Sequence, residues 1–269
     1  MILNKNINKC IIATILITLI SCNTDETQTV TTKHSLVMED NFDENGSLNA
    51  AMWNYEIGTG TDGWGNNELQ YYTDRPENIV VENGMLKITA LNESYMGESY
   101  TSARIQTKGK FEQKYGRYEA RIKLPLGKGI WPAFWLLGAN SDTVIWPECG
   151  EIDIMEYLGS APTTVFGTVH GPNYFGNDAI SKEYSLTNSR FDTDFHVFGI
   201  EWDENYINFY VDNVLYNQIT PEDVTGEWVF NQPFYIILNM AVGGNLPGAP
   251  NNDTVFPQEM LIDYVRVYN

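Results

Sequence analysis

Cysteine and histidine are scarce in this 269-residue chain, three of each, and the scarcity removes several chemistries at once. Cys10 falls in an apolar leader and Cys22 at its expected cleavage point, which leaves Cys149 without a disulfide partner. No histidine stands near Cys149 in sequence to activate it, so it reads as a packed residue rather than a nucleophile. His34, His170 and His196 are too scattered to outline a zinc site. No GxSxG elbow, GxxxxGK[ST] phosphate loop, HExxH helix or paired CxxC occurs. Gly58, Gly60 and Gly63 spell GxGxxG, but no helical pattern follows them and no βαβ unit surrounds them, so the match carries no nucleotide-binding meaning.

Basic side chains are also few. Sixteen Lys and Arg stand against 35 Asp and Glu, a net charge of −19, and that field disfavours nucleic acid and repels other polyanions. A neutral partner fits better. No apolar run is long enough to span a bilayer comfortably; the run from Cys10 to Ile20, preceded by Lys5 and Lys9, reads as an export leader. Leu19-Ile20-Ser21-Cys22 resembles a bacterial lipobox. The expected organisation is a leader over 1–21, a lipid on Cys22, a flexible tether over 22–35 and one domain over 36–269. Such a protein would be a monomer held at the cell envelope, on the outer membrane, by its lipid alone.

Long amphipathic helices are missing too, and aromatic residues and glycine take their place: 16 Tyr, 12 Phe, 7 Trp and 22 Gly. Short alternating runs predict strands at Met85–Ala90, Gly116–Leu124, Trp131–Leu137, Glu151–Tyr157, Val165–His170, Phe195–Glu201, Ile207–Val211, Phe234–Ala241 and Leu261–Tyr268. Shorter extended pieces separated by turns fill Leu36 to Val81. One flat sheet would leave an apolar face open, so this many strands imply an all-β, curved two-sheet sandwich with a concave face for an extended ligand.

Gly150–Gly159, GEIDIMEYLG, places Glu151, Asp153 and Glu156 in one β-patterned run behind Trp146-Pro147. Alternation puts Glu151 and Asp153 on one face and Glu156 on the other. A β-bulge at Ile154-Met155 brings Glu156 back to the first face, and bulges are frequent beside active sites. A charged edge strand is the competing reading, but the apolar residues between the acids argue for one buried face. Two carboxylates suffice to hydrolyse a glycosidic bond, one attacking or activating water and the other protonating the leaving oxygen. Crowding raises the pKa of at least one of them, which keeps the acid partner protonated. Trp131 and Trp135 share a strand face, as either a sugar platform or core packing. Trp64 and Trp146 sit in loops, free to rim a cleft.

Several further segments accompany this cluster: WGNNELQYYT (64–73), the run from Ser102 to Gly138, WPECGEIDIMEYLG (146–159), GTVHGP (167–172), HVFGIEWDE (196–204) and FYIILNMAVGGNLPG (234–248). Together they resemble glycoside hydrolase family 16 and, within it, the laminarinases, which are endo-β-1,3-glucanases. The likeness runs from about Val37 to Asn269. It implies a jelly-roll sandwich and hydrolysis with retention, with Glu151 as nucleophile, Glu156 as acid/base and Asp153 between them tuning the pair. It also implies that Trp131, Trp135 and Trp146 line the cleft, that His170 stands beside the reactive subsite, and that Asn66, Glu68 and Arg104 contact sugar near the non-reducing side, with Asn239 on a bordering strand. No cofactor is implied for catalysis. A structural calcium is, at Asn41, Gly84 and Asp263, where hard oxygen ligands suit that ion.

Two departures qualify the likeness. Leu246 stands where laminarinases often carry tryptophan, and the inserted Met155 is shared with agarases and carrageenases of the family but not with typical lichenases. Carrageenases need basic residues for sulfate, and the Arg and Lys here are dispersed. An agarase, a mixed-linkage β-1,3/1,4-glucanase and a non-catalytic glucan-binding lipoprotein are the alternatives. The expected partner is a neutral β-glucan.

Overall fold

The computed structural model describes residues 35–269, so the leader, Cys22 and nearly all of the tether lie outside the described residues. The strands in chain order are β1 (Leu36–Asp40), β2 (Asn54–Glu56), β3 (Gln70–Tyr72), β4 (Ile79–Glu82), β5 (Met85–Tyr95) and β6 (Glu98–Ser102). Next come β7 (Arg104–Gln106), β8 (Gly116–Lys123), β9 (Ile130–Gly138), β10 (Glu151–Tyr157), β11 (Thr164–His170) and β12 (Ile180–Ser185). The chain ends with β13 (His196–Trp202), β14 (Ile207–Val211), β15 (Val214–Ile219), β16 (Phe234–Val242) and β17 (Gln258–Tyr268).

Two sheets face each other. The outer one runs β15-β14-β13-β8-β17-β5-β6-β3, with β1 on β17 and β4 on β5; the inner one runs β12-β11-β10-β9-β16-β7-β2. Alternation explains the layer between them. Tyr118, Ala120 and Ile122 of β8 are fully buried, as are Phe198 and Ile200 of β13, while Arg121 and Lys123 point outward. From the inner sheet Ile152, Ile154 and Met155 of β10, Val165 and Val169 of β11 and Phe134 and Leu136 of β9 enter the same apolar cluster. β16 is buried at all nine positions, because side chains and the loop before β3 cover its second face.

Each strand expected over 85–268 forms. Four strands in that range were not foreseen: β6, β7, β12 and β15. β12, ISKEYS, is an edge strand largely exposed to solvent, so no buried face imposes an apolar alternation on it. β15 closes a hairpin with β14 through Asp212 and Asn213, both at positive φ (50° and 65°). An Asp-Asn pair of that kind between two strands is a two-residue hairpin signal.

On the outer sheet, β17 pairs Val265 with Asp40 of β1 and Ile262 with Leu86 of β5. Asp263 stands at a bulge in β17 between Ile262 and Tyr264, while Asn41 directly follows β1 and Gly84 lies in the turn between β4 and β5.

Candidate active site

β10 lies mid-sheet between β9 and β11, and its ladder slips where the sequence requires it to. Against β9 the register shifts between Asp153 and Met155, and against β11 between Asp153 and Glu156. Ile154 and Met155 both turn into the core, 1% and 0% exposed. Glu151, Asp153 and Glu156 therefore share the opposite face, the concave one. Neighbouring strands place Trp135 and Thr168 opposite Asp153, and His170 opposite Glu151.

The three acids titrate as a crowd. Burial, then the charge of Asp153, pushes Glu151 up to about 8, with His170 pulling the other way. Glu156 is also pushed up to about 8 by burial and then by Asp153; His170 and hydrogen bonds from Trp131 and Thr168 act against the rise. Asp153 reaches about 8 through burial, and its Oδ2 is enclosed without a well-aligned hydrogen bond. Three like charges this close cannot all ionise, so near neutral pH the cluster retains protons as a unit.

Each reacting carboxylate has an indole beside it. Trp131 Nε1 donates to Glu156 Oε1 at 3.1 Å, and Trp146 Nε1 donates to Glu151 Oε2 at 3.1 Å. Thr168 Oγ1 donates to the other Glu156 oxygen at 3.4 Å. His170 Nε2 lies 3.2 Å from Asp153 Oδ2 and 3.6 Å from Glu151 Oε1. The amide of Gly176 donates to His170 Nδ1 at 3.2 Å, so the neutral ring carries its proton on Nε2, facing the acids. Glu151, Asp153 and His170 offer ligand atoms within 4.8 Å of one another, the composition of a metal site.

A second cluster lies on the β9, β16 and β7 side of the acids. Trp135 Nε1 donates to Asn239 Oδ1 at 2.7 Å, Asn239 Nδ2 to the Tyr72 hydroxyl at 3.1 Å, and that hydroxyl to Glu68 Oε2 at 3.1 Å. Gln70 also donates to Glu68, at 2.6 Å, and accepts from the Val242 amide at 2.7 Å. Burial raises the Glu68 pKa against the pull of Gln70, Arg104, Tyr72 and Asn66. Arg104 pairs with Glu56 and packs against the rings of Trp64 and Trp135, its guanidinium carbon 4.5 and 4.9 Å from their centroids. Asn66 accepts the Asn245 amide at 2.8 Å through its carbonyl, joining the Trp64 loop to the loop after β16. Leu246 in that second loop is 52% exposed.

The expected site residues thus fall into these two adjoining clusters. Tyr72, Glu56, Gln70, Thr168 and Phe175 belong with them and were not singled out. Thr168 and Tyr72 lie inside GTVHGP and WGNNELQYYT, where position within the motif was the available signal. Nothing local distinguishes Glu56 or Phe175. Cys149 is 1% exposed, and burial, then Glu151, pushes its thiol up to about 11, which suits a packed residue.

The expected calcium ligands belong to the outer sheet and its turns, apart from these clusters. Asp263 Oδ2 is held by Arg121 at 2.6 Å and Asn41 Oδ1 accepts from Arg266 at 3.0 Å. The other Asp263 oxygen and the main-chain carbonyls of Asn41 and Gly84 are hard oxygen donors of the kind calcium takes.

A bulged strand carrying three crowded carboxyls in a concave sheet, flanked by indoles, is equipped for glycoside hydrolysis. The family model for glycosyl hydrolases family 16 matches residues 65–266. The chain belongs to that family. It is 44% identical to a beta-glucanase of Rhodothermus marinus over 243 residues, covering 87% of this chain and 84% of that protein. It is 38% identical to glucan endo-1,3-beta-glucosidase A1 of Niallia circulans, but spans only 38% of that protein's length. The catalytic domain of an endo-1,3-beta-glucanase (laminarinase) from Thermotoga petrophila RKU-1 superposes with a TM-score of 0.84 at 51% identity, over 88% of this chain and 98% of that one. As a family 16 glycoside hydrolase the chain needs no cofactor for catalysis.

Proposed function

We propose that this glycoside hydrolase is a retaining endo-β-1,3-glucanase acting on neutral, laminarin-type glucan. Glu156, kept protonated by its burial, gives its proton to the glycosidic oxygen as the bond breaks. Ionised Glu151 attacks the anomeric carbon and forms a glycosyl ester. Water then attacks the same carbon, Glu156 takes a proton from it, and Glu151 leaves as a carboxylate. Asp153 raises both neighbours when it is charged; holding its own proton is what lets Glu151 ionise.

The observation that carries this reading is the bulge at Ile154-Met155, which gives the two glutamates a common face with Asp153 between them. Five regular strand steps would separate the two backbone positions by roughly 16 Å, so the bulge, the curvature of the sheet and two long side chains leaning over Asp153 must together bring the carboxyl groups to the spacing of a retaining pair, about 5 to 5.5 Å. The glucanase relatives support the β-1,3 choice over an agarase. A product profile against laminarin, curdlan, lichenan, agarose and carrageenan tests it: oligosaccharides from laminarin and curdlan are expected, and release from agarose alone overturns the substrate.

The lipobox-like sequence at Cys22 supports a lipid-anchored monomer at the outer membrane; labelled palmitate should enter the wild type and not Cys22→Ala. A structural calcium held by Asp263 and the main-chain oxygens of Asn41 and Gly84 would stiffen the outer sheet and take no part in the chemistry.

A further inference from the structure

The loop that leaves β11 turns straight back on His170. Gly171 and Tyr174 exchange both of their main-chain hydrogen bonds, each 3.0 Å long. Pro172 takes the first central position and Asn173 the second, at φ 68°, the residues a type II turn favours. The reversal brings Gly176, six positions after His170, to where its amide meets the imidazole. Among the described residues that amide is the single hydrogen-bond partner of His170 Nδ1.

Tyr174 fastens this turn from the core side. Its side chain is 1% exposed and lies against Gly171, where an added Cβ would stand 2.2 Å from the Tyr174 hydroxyl oxygen. That hydroxyl donates to the Glu227 carbonyl at 2.8 Å. Two further contacts join the same segments. Thr225 Oγ1 donates to the Asn173 carbonyl at 3.1 Å, and Gly226 packs so closely on Pro172 that a Cβ would stand 1.7 Å from the Pro172 carbonyl oxygen. The 225–230 segment is itself rooted in the core: Phe230 is fully buried, its carbonyl accepts the Trp202 indole N–H at 2.9 Å, and its ring centroid lies 6.3 Å from that of Tyr174. A continuous set of contacts therefore runs from the core through Glu227, Tyr174 and the turn to Gly176, and ends on His170.

We propose that Tyr174 is a positioning residue for the hydrolytic reaction, which it serves by holding the Gly176 amide on His170 and so fixing the tautomer of that imidazole. This rests on the retaining mechanism above. With Nδ1 engaged as an acceptor, Nε2 carries the proton and directs it at Asp153 Oδ2 and Glu151 Oε1, 3.2 and 3.6 Å away. A ring released from Gly176 exchanges tautomers, and in the second form an Nε2 lone pair faces the acids instead of a donor. A carboxylate that loses a donor ionises at higher pH. Glu151 must be ionised to attack, so the link from Tyr174 to His170 sets how far into acid the nucleophile still works.

Two variants test it. Tyr174→Phe keeps the ring and removes the hydroxyl; Thr225→Ala, at an exposed position, loosens the same join without touching the core. Long-range proton–nitrogen NMR of the free protein reads imidazole tautomers directly, and His170 is picked out of the three histidines by the signals that His170→Gln removes. At a pH where the ring is neutral, wild type should show the Nε2–H form alone, Tyr174→Phe a mixture of both forms, and Thr225→Ala a smaller share of the second. On laminarin, the acidic limb of kcat/KM should move up by about half a pH unit in Tyr174→Phe, roughly a threefold loss on the limb, while the plateau changes by less than about twofold. An Nδ1–H form in the wild type overturns the proposal, and so does an unaltered tautomer in Tyr174→Phe. A lower Tm with tautomer and limb unmoved also overturns it, because Tyr174 would then only pack. Should Tyr174→Phe fail to fold, the same two readings on Thr225→Ala decide. If the wild type cleaves no β-1,3-glucan, the proposed function fails and takes this inference with it; if it does and the tautomer is unaltered in the variants, only the inference fails.

Discussion

Trp131 on β9 donates its indole N–H to Glu156 Oε1 at 3.1 Å, and that bond stabilises the carboxylate rather than the acid. A general acid must be protonated to act, so the Trp131 bond sets how far above neutrality Glu156 still works. Trp131→Phe keeps an aromatic platform and removes the donor. The alkaline limb of the kcat/KM profile on laminarin should move upward, by roughly half to one pH unit. A limb that stays in place or moves down would show that Trp131 does not tune Glu156.

Glu151→Gln leaves shape and hydrogen bonding at the nucleophile nearly intact and removes its negative charge. Hydrolysis of laminarin should fall by at least about 10⁴-fold, while laminarin binding, read by intrinsic tryptophan fluorescence through Trp146, persists. Full activity in this variant would sink the nucleophile assignment. Glu151→Ala with azide extends the test: a small anion attacking from the vacated face should give an α-glycosyl azide, and a β-azide would contradict retention through Glu151.

Much of this site is legible in the sequence. The odd spacing of Glu151, Asp153 and Glu156 required a bulge, and the bulge falls between Asp153 and Glu156 because Ile154 and Met155 can both be buried there. Trp131 and Trp135, four apart on one strand, face the cleft together, and their indole N–H groups reach Glu156 and Asn239. Partners from distant segments were not legible. Glu56 meets Arg104 because β2 pairs with β7, and Phe175 meets Trp146 because two loops converge; neither contact leaves a local pattern. The same holds for β12, where an exposed edge strand has no buried face to write an alternation.

Asp153 gives a prediction about stability. Its pKa is about 8 in the folded protein and about 3.9 in an unfolded chain. Below about pH 4 both states hold the proton and the group contributes nothing. Between about 4 and 8 the folded state keeps a proton that the unfolded state has released, so stability falls as pH rises through that window. Asp153→Asn removes the dependence. Its Tm advantage over wild type should therefore grow from pH 4.5 to pH 8, reaching roughly 1–3 kcal/mol, or several degrees, while activity drops. An advantage that is constant or shrinks with pH contradicts the raised pKa.

Calcium gives a separate handle on the outer sheet. If Asp263 holds the ion with main-chain oxygens, millimolar calcium should raise the Tm of chelator-treated protein by a few degrees, and Asp263→Ala should lose that response. The pH profile on laminarin should be the same with and without calcium. A calcium-dependent shift in that profile would move the ion to the cleft.

Tyr72 is fully buried and carries the one hydroxyl that joins Asn239 to Glu68. Tyr72→Phe keeps the ring against Trp64, 5.5 Å between centroids, and deletes only the link. Glu68 retains Gln70 as a donor, whereas Asn239 loses the acceptor for its amide, so Asn239 and the Trp135 indole it anchors should loosen. Unfolding stability should drop by about 1–2 kcal/mol, the cost of an unsatisfied buried polar group. KM for laminarin should rise several-fold with kcat much less affected, because the carboxyl cluster is untouched and only the ring that receives sugar is displaced. A fall in kcat at unchanged KM would mean that this network acts on the reaction centre and not on the platform.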